Sequence, residues 1–312
     1  MKTQNLTLVS LAILLACSSC KVQPEKKSLE FKDYPNLKLG FSTQNFQASM
    51  PNNVANLTEI IEYASTEGYQ FIELRDPLAK LTEEECMKLA EVAKEKRIDV
   101  IYEIHKNLLD TGYFEVFKKG LANAKIFQGP GIIRTVVSGS EFKDDPAKKG
   151  WTKDEFQQLS RIADSCTVIA KGENIRFIVE NFDEAFFGDG TNYFGISDLF
   201  NSASGTGFQL DMSNMFRKPA REMTEPDKVL QYLPTLGNQW VTTHLKTVLT
   251  MGGDMQPTLT ENPLPVEKIV GLMGKQNVIW AAFELASVPD KQQCYANHAS
   301  SVQFLKDKGL LK

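Results

Sequence analysis

The sequence predicts a single α/β domain built as an eight-stranded parallel β/α barrel, (β/α)8. Three observations lead there. Short apolar runs alternate with amphipathic helical stretches over residues 37–312. Eight such runs can be counted, and the last four each end at or near a carboxylate or a histidine. Strand then helix, eight times over, is the pattern of a parallel sheet closed on itself, and one such barrel uses roughly 250 residues.

The strand candidates are 37–43, 70–75, 99–104, 132–138, 176–181, 208–212, 241–246 and 278–284. Between them, Leu57-Ile60-Ile61-Ala64 and Cys86-Leu89-Ala90-Ala93 show the i, i+3, i+4, i+7 spacing of a helix with one buried face. Strands one and four are the least distinct, so an open doubly wound sheet of six or seven units is the alternative. No Gly-x-Gly-x-x-Gly or Walker-type loop follows any strand, which removes the usual nucleotide-binding reason for an open sheet. Three long connections, 139–152, 183–193 and 247–265, follow strands and would lie over the catalytic face. Their alternative reading is surface insertion.

Residues 1–20 are set apart as an export segment. Lys2 supplies its positive start, and the apolar stretch 6–16 is too short to span a bilayer comfortably. Leu14-Leu15-Ala16-Cys17 resembles a bacterial lipoprotein cleavage box, with Cys17 as the acylated residue and Cys20 as a second candidate. An ordinary signal peptide containing cysteines is the alternative. Residues 21–36, with Pro24, Lys26, Lys27 and Pro35, suit a flexible tether. The expected location is outside the cytoplasm, facing the periplasm, with the membrane touched only through the lipid anchor.

The chain of 312 residues carries a net charge of -4 and no run of Lys and Arg, which argues against a nucleic-acid partner. Cys86, Cys166 and Cys294 lie in helical patterns without paired spacing, so they suggest small buried side chains rather than a disulfide framework or a zinc knuckle.

The chemistry is concentrated in the last four strands. Glu180 ends Phe177-Ile178-Val179-Glu180, and Asp211 ends Phe208-Gln209-Leu210-Asp211. His244 lies in Val241-Thr242-Thr243-His244-Leu245-Lys246, and Glu284 ends Trp280-Ala281-Ala282-Phe283-Glu284. A carboxylate at the end of an apolar run is costly to bury unless it is paired or bound to a cation. Three carboxylates and an imidazole converging on one mouth suit a single divalent metal, Mn, Mg, Co or Zn. Lys246 shares a strand face with His244 and could stabilise a developing oxyanion, or reach to solvent. His105, Glu73, Arg75, Asn214 and Arg217 are candidate substrate contacts. For Glu73 and Arg75, which share a face, a mutual structural bridge is the alternative, and His298 is expected to be structural.

With these residues in view, the chain resembles the xylose isomerase-like TIM barrels, specifically the sugar phosphate isomerase/epimerase group. The pieces that carry the resemblance are Val179-Glu180-Asn181, Leu210-Asp211-Met212-Ser213-Asn214, His244-Leu245-Lys246, Phe283-Glu284 and Gly68-Tyr69-Gln70-Phe71-Ile72-Glu73-Leu74. The resemblance implies that Glu180, Asp211, His244 and Glu284 bind one metal, and that the two glutamates act as acid and base. The sequence departs from the group in having Thr247 where an Asp often follows His-x-Lys, and Asn214 in place of a His after Asp211.

The expected activity is a metal-dependent isomerase, epimerase or related lyase acting on a sugar, keto-sugar or cyclitol through an enediolate. The alternative is a sugar-binding lipoprotein on the same barrel. An apurinic endonuclease would need a histidine-rich three-metal site, and the chain has three histidines in all.

Overall fold

The computed structural model describes residues 28–127, 129–137, 148, 150–182, 184–203, 205–216, 225–249 and 253–312. Its strands are β1 (Lys38–Ser42), β2 (Phe71–Arg75), β3 (Asp99–Glu103), β4 (Ile132–Val136), β5 (Arg176–Glu180), β6 (Gly207–Asp211), β7 (Trp240–Leu245) and β8 (Trp280–Phe283). They pair in chain order, all in parallel, and β8 returns to pair with β1. The sheet is therefore closed, and the open alternative is excluded.

Each strand leads into a helix on the outside: α1 (Val54–Glu67), α2 (Glu83–Lys96), α3 (Tyr113–Ala124), α4 (Lys153–Gly172), α5 (Ile196–Ser202), α6 (Pro226–Tyr232), α7 (Val266–Gln276) and α8 (Lys291–Asp307). Local chemistry sets their ends. Asn53 caps α1 by accepting from the Asn56 amide, and Gly68 stops it in the left-handed conformation at φ 89°. Thr82 with Glu85 and Thr152 with Glu155 form capping boxes at the starts of α2 and α4. The buried face of α1 is Leu57, Ile60, Ile61 and Ala64, as its spacing predicts.

The barrel interior is divided by height. Toward the closed end, where the strands begin, an apolar plug contains Phe71, Ile132, Ile178 and Trp280. Gly40 makes room for it: a Cβ there would lie 2.4 Å from the Phe71 carbonyl oxygen and 2.5 Å from its ring. Nearer the mouth the buried residues turn polar, with Glu73, Glu103, Arg134 and Gln209 all buried. That layer is the unusual feature of the fold, since barrel interiors are dominated by branched apolar side chains.

The closed end is also where the chain enters. Residues 28–36, expected to belong to the tether, instead pack onto the barrel. Leu29 and Phe31 are buried. The Leu29 amide donates to the Gly68 carbonyl at 2.9 Å, the Lys32 amide donates to Leu310 at 2.9 Å, and Phe31 bridges Leu311. The average polarity of 21–36 hides two alternating apolar residues that cover the bottom of the barrel. Cys17, Cys20 and the rest of 1–27 lie outside the described residues.

At the mouth, the loops after β4 and β5 are joined. Trp151 and Phe194 exchange backbone hydrogen bonds, each 2.9 Å, and the Phe156 ring stacks on Phe194 at 4.5 Å. The loop after β7 folds back through a Val248–Met255 bridge. These described parts are packed structure, although 138–147 and 149 in the first loop lie outside the described residues. Cys86, Cys166 and Cys294 are buried free thiols. His298 is buried between the Tyr69 hydroxyl, 3.3 Å from Nδ1, and the Asn45 amide, 3.1 Å from Nε2. Burial pushes its pKa down to about 3, in keeping with a structural role.

If 28–36 are part of the domain, Phe31→Ala should cost about 3–5 kcal/mol, the usual loss for a buried Phe. Urea unfolding checks this. A chain beginning at residue 28 should keep the parent midpoint, and one beginning at residue 37 should lose much of it.

Candidate metal centre

The strand period of two decides which side chains enter the barrel. On β5, Phe177 and Val179 pack outward into the helix layer, while Ile178 and Glu180 point inward. On β6 the inward pair is Gln209 and Asp211. Register then brings neighbouring strand ends level, with Asp211 beside His244 and His244 beside Ala282. Glu284 follows β8 directly, and its amide donates to the Leu245 carbonyl at 3.2 Å.

The result is a buried cluster of Glu180, Asp211, His244 and Glu284, in which one ligand atom from each lies within 4.8 Å of all the others. His244 Nδ1 is at its centre, 2.6 Å from Glu284 Oε2, 3.0 Å from Glu180 Oε1 and 3.5 Å from Asp211 Oδ2. Donor atoms on metal bonds of about 2.0–2.2 Å stand roughly 3–4 Å apart, so these residues fit one divalent ion after small adjustments. Three carboxylate oxygens and one imidazole nitrogen are a donor set that Mg, Mn, Co or Zn accepts.

Each of these side chains is held from behind. Asp211 Oδ1 accepts from the amides of Ser213 and Asn214, both at 2.8 Å, which turns Oδ2 to the centre. Asn181 clamps the Asp211 backbone through both its carbonyl and its amide. Arg134 Nη1 donates to Glu180 Oε2 at 2.5 Å and leaves Oε1 facing His244. Lys246 Nζ donates to Asp211 Oδ2 at 2.9 Å, Asn214 Oδ1 at 3.0 Å and Glu284 Oε2 at 3.1 Å. Lys246 therefore lies within the cluster as the cationic partner of Asp211 and Glu284, and its side chain does not reach to solvent.

The charges leave room for a cation here. Five carboxylates (Glu73, Glu103, Glu180, Asp211 and Glu284) form one network, joined through His244, with three permanent cations, Arg75, Arg134 and Lys246. The deficit is two positive charges, which a divalent ion beside a neutral His244 would supply. Without an ion the network compensates through protons. Burial alone would lower His244, but Glu73, Glu284 and Glu180 outweigh it and hold the imidazole well above its ordinary pKa. Burial raises Glu180 despite Arg134 and His244. It raises Glu103 too, despite Arg134 and Arg75. Glu284 goes the other way: Lys246 and His244 overcome burial and hold it well below the usual range.

The predicted substrate contacts divide. Asn214 lies in the centre, its amide 2.9 Å from the Asn181 carbonyl and 3.4 Å from Glu180 Oε1. His105 lies at the mouth, edge-on to Phe182 at 5.1 Å, and burial drives its pKa well below the ordinary value. Arg75 pairs with Glu103 at 3.3 Å rather than with Glu73, so the mutual bridge is not formed. Glu73 is fully buried, with His244 and Gln209 as its hydrogen-bond partners. Arg217 lies outside the described residues.

The sequence reading missed Arg134, Glu103 and Gln209. Arg134 carried a signal: it sits inside Ile132-Ile133-Arg134-Thr135-Val136, where a charge at an inward position must find carboxylates. Arg134→Met should leave Glu73, Glu103 and Glu180 without their shared cation and cost about 3–5 kcal/mol in the metal-free protein. Urea titrations across pH check this. The gap to the parent should narrow as pH falls, because protonated carboxylates no longer need the guanidinium.

No family model matches the sequence, and no curated protein matches it. Solved structures do resemble it. D-psicose 3-epimerase with D-tagatose from Clostridium cellulolyticum aligns at TM-score 0.62 and 13% identity, over 88% of this chain and 98% of that one. A probable 3-DHS dehydratase of petrobactin synthesis from Bacillus anthracis aligns at 0.61 and 14%, over 86% and 99%. A xylose isomerase-like TIM barrel protein from Mycobacterium smegmatis, in complex with magnesium, aligns at 0.58 and 15%, over 87% and 97%. At these identities the likeness establishes the fold, which is the xylose isomerase-like TIM barrel.

Proposed function

We propose that this chain is a divalent-metal-dependent isomerase or epimerase that moves a carbon-bound proton on a neutral sugar, keto-sugar or cyclitol. The observation that carries the reading is the placement of two glutamates, Glu180 on β5 and Glu284 after β8. They bracket the ligand set from its two ends, with His244 Nδ1 between them at 3.0 and 2.6 Å. A divalent cation held by Glu180, Asp211, His244 and Glu284 would polarise a substrate carbonyl and acidify the proton on the neighbouring carbon.

The chain's own groups do the rest. One glutamate takes the proton and the other returns it, which inverts a carbinol centre or exchanges ketose for aldose. Lys246, held among Asp211, Asn214 and Glu284, would offer a positive charge to enediolate oxygens that form beside the ion. Loss of a β-hydroxyl from the same enediolate would instead give a dehydratase, and one structural neighbour carries that name. The charge inventory favours a neutral substrate. Once a divalent ion is counted the buried network is balanced, so the centre itself calls for no anionic group on the substrate. Neighbours crystallised with D-tagatose and D-fructose support a free sugar.

The test is proton exchange. Parent protein with Mn, Mg, Co or Zn and a panel of free and 3-keto sugars in deuterated water should incorporate deuterium at one carbon, read by NMR. Glu180→Gln should slow that exchange by about 10²–10⁴-fold with its circular dichroism unchanged. Exchange at the parent rate in the variant sinks the acid–base role. Tight sugar binding without any exchange in the parent would favour the sugar-binding lipoprotein.

We carry the export reading forward as part of the same proposal. No helix among the described residues is long and apolar enough to cross a membrane. The chain joins the barrel at its closed end, where Leu29 bonds Gly68 and Lys32 bonds Leu310. An anchor at Cys17 would therefore hold the barrel by the face opposite its mouth, leaving the mouth open to diffusing sugars. Metabolic labelling with a palmitate analogue should mark the parent and the Cys20→Ser variant, and should fail on Cys17→Ser.

A further inference from the structure

One buried carboxylate lies outside the proposed ligand set yet touches it. Glu73 is on β2, across the barrel from the ligand strands, and its side chain is fully buried. Its Oε2 lies 2.5 Å from His244 Nε2, the ring nitrogen that faces away from the other three ligands. Glu73 is itself fixed. Gln209 Nε2 donates to both of its oxygens at 3.2 Å, and Arg134 Nη2 stands 3.6 Å away. The two ring nitrogens of His244 thus meet different surroundings: Nδ1 meets Glu180, Asp211 and Glu284, while Nε2 meets Glu73 among the described residues.

We infer that Glu73 is a positioning residue for the metal centre, accepting the His244 Nε2–H so that Nδ1 is presented to the ion. The inference rests on the metal reading above and adds to it a residue that touches neither ion nor substrate. An imidazole offers a metal one nitrogen while the other carries the proton, and the partner of that proton fixes both tautomer and ring orientation. With no acceptor at Glu73 the ring could turn about its Cβ–Cγ bond or take the other tautomer, and the Nδ1 lone pair would no longer be held toward the three carboxylates. The adjoining residues show that this geometry is built. Gln209 and Asp211 lie two apart on β6, so one inward-facing residue steadies Glu73 and the next supplies a ligand.

The experiment measures Mn(II) affinity of the full chain by electron paramagnetic resonance of the free ion, with no sugar present. Glu73→Leu removes the acceptor and should weaken binding by about 10–100-fold, the usual effect of losing such a partner. Glu73→Gln keeps a carbonyl oxygen for the Nε2–H and should fall between parent and Glu73→Leu. It also decides the question if Glu73→Leu does not fold. A spectroscopic signature separates positioning from general destabilisation. The chain has only three histidines, so ¹⁵N-labelled side chains can be assigned in the Zn-loaded protein. The parent should show a strongly deshielded Nε2 proton on His244, and Glu73→Leu should not. Parent-like Mn(II) affinity in whichever variants fold overturns the inference and leaves the metal reading standing. A parent that binds no divalent ion overturns both.

Discussion

Compensation of buried negative charge is the constraint on which the rest of this structure depends. Glu73, Glu103, Glu180, Asp211 and Glu284 are all buried at the mouth of a barrel whose lower half is apolar. Isolated carboxylates in such a place would be neutralised by proton uptake or would prevent closure of the sheet. Arg134 answers part of the problem alone, with its guanidinium against Glu73, Glu103 and Glu180. A planar group with five donors can serve several carboxylates at once, and a lysine ammonium could not take those positions in one geometry. Lys246 answers another part, between Asp211 and Glu284. What remains is two charges, concentrated where His244 Nδ1 meets three carboxylate oxygens.

Much of this was legible along the chain because strands are short and simple. A strand of five residues that ends in a carboxylate, such as β5 or β6, announces both its face and its functional end. The four ligand candidates were visible for that reason, and parallel order with tight register did the rest. The contacts of Glu73 were not legible. Its partners are on β4, β6 and β7, and which inward residues meet across a barrel depends on closure and stagger rather than on any local pattern. Arg134 was legible in principle, as a charge inside an apolar run, yet its three partners were not. The packing of 28–36 was hidden for a different reason. Averaged polarity over 21–36 concealed Leu29 and Phe31, two residues that matter because the closed end of the barrel needs covering.

The fold separates what must be fixed from what can vary. All four proposed ligands and their supports, Glu73, Arg134 and Gln209, lie in strands or immediately after them. The segments that cover the mouth are loops, joined to one another through Trp151 and Phe194. The chain enters at the opposite end, among Gly68, Leu310 and Leu311. The proposed metal centre therefore rests on the strands and their ends, while groups that would meet a substrate, such as His105 and Phe182, stand on the connections.

This arrangement accounts for an apparent extravagance, an ionic layer where apolar side chains would pack more stably. Buried ion pairs are weak contributors to stability, and replacing them with well-packed apolar residues is often neutral or better. An apolar floor beneath this centre would leave His244 Nε2 and Glu180 Oε2 without partners, however, and would release both side chains to other rotamers. The charged floor gives up some stability and in return defines which atom of each ligand faces the centre. A centre defined in that way is fixed by strand residues and by the turns that directly follow β5 and β6, where Asn181, Ser213 and Asn214 hold Asp211.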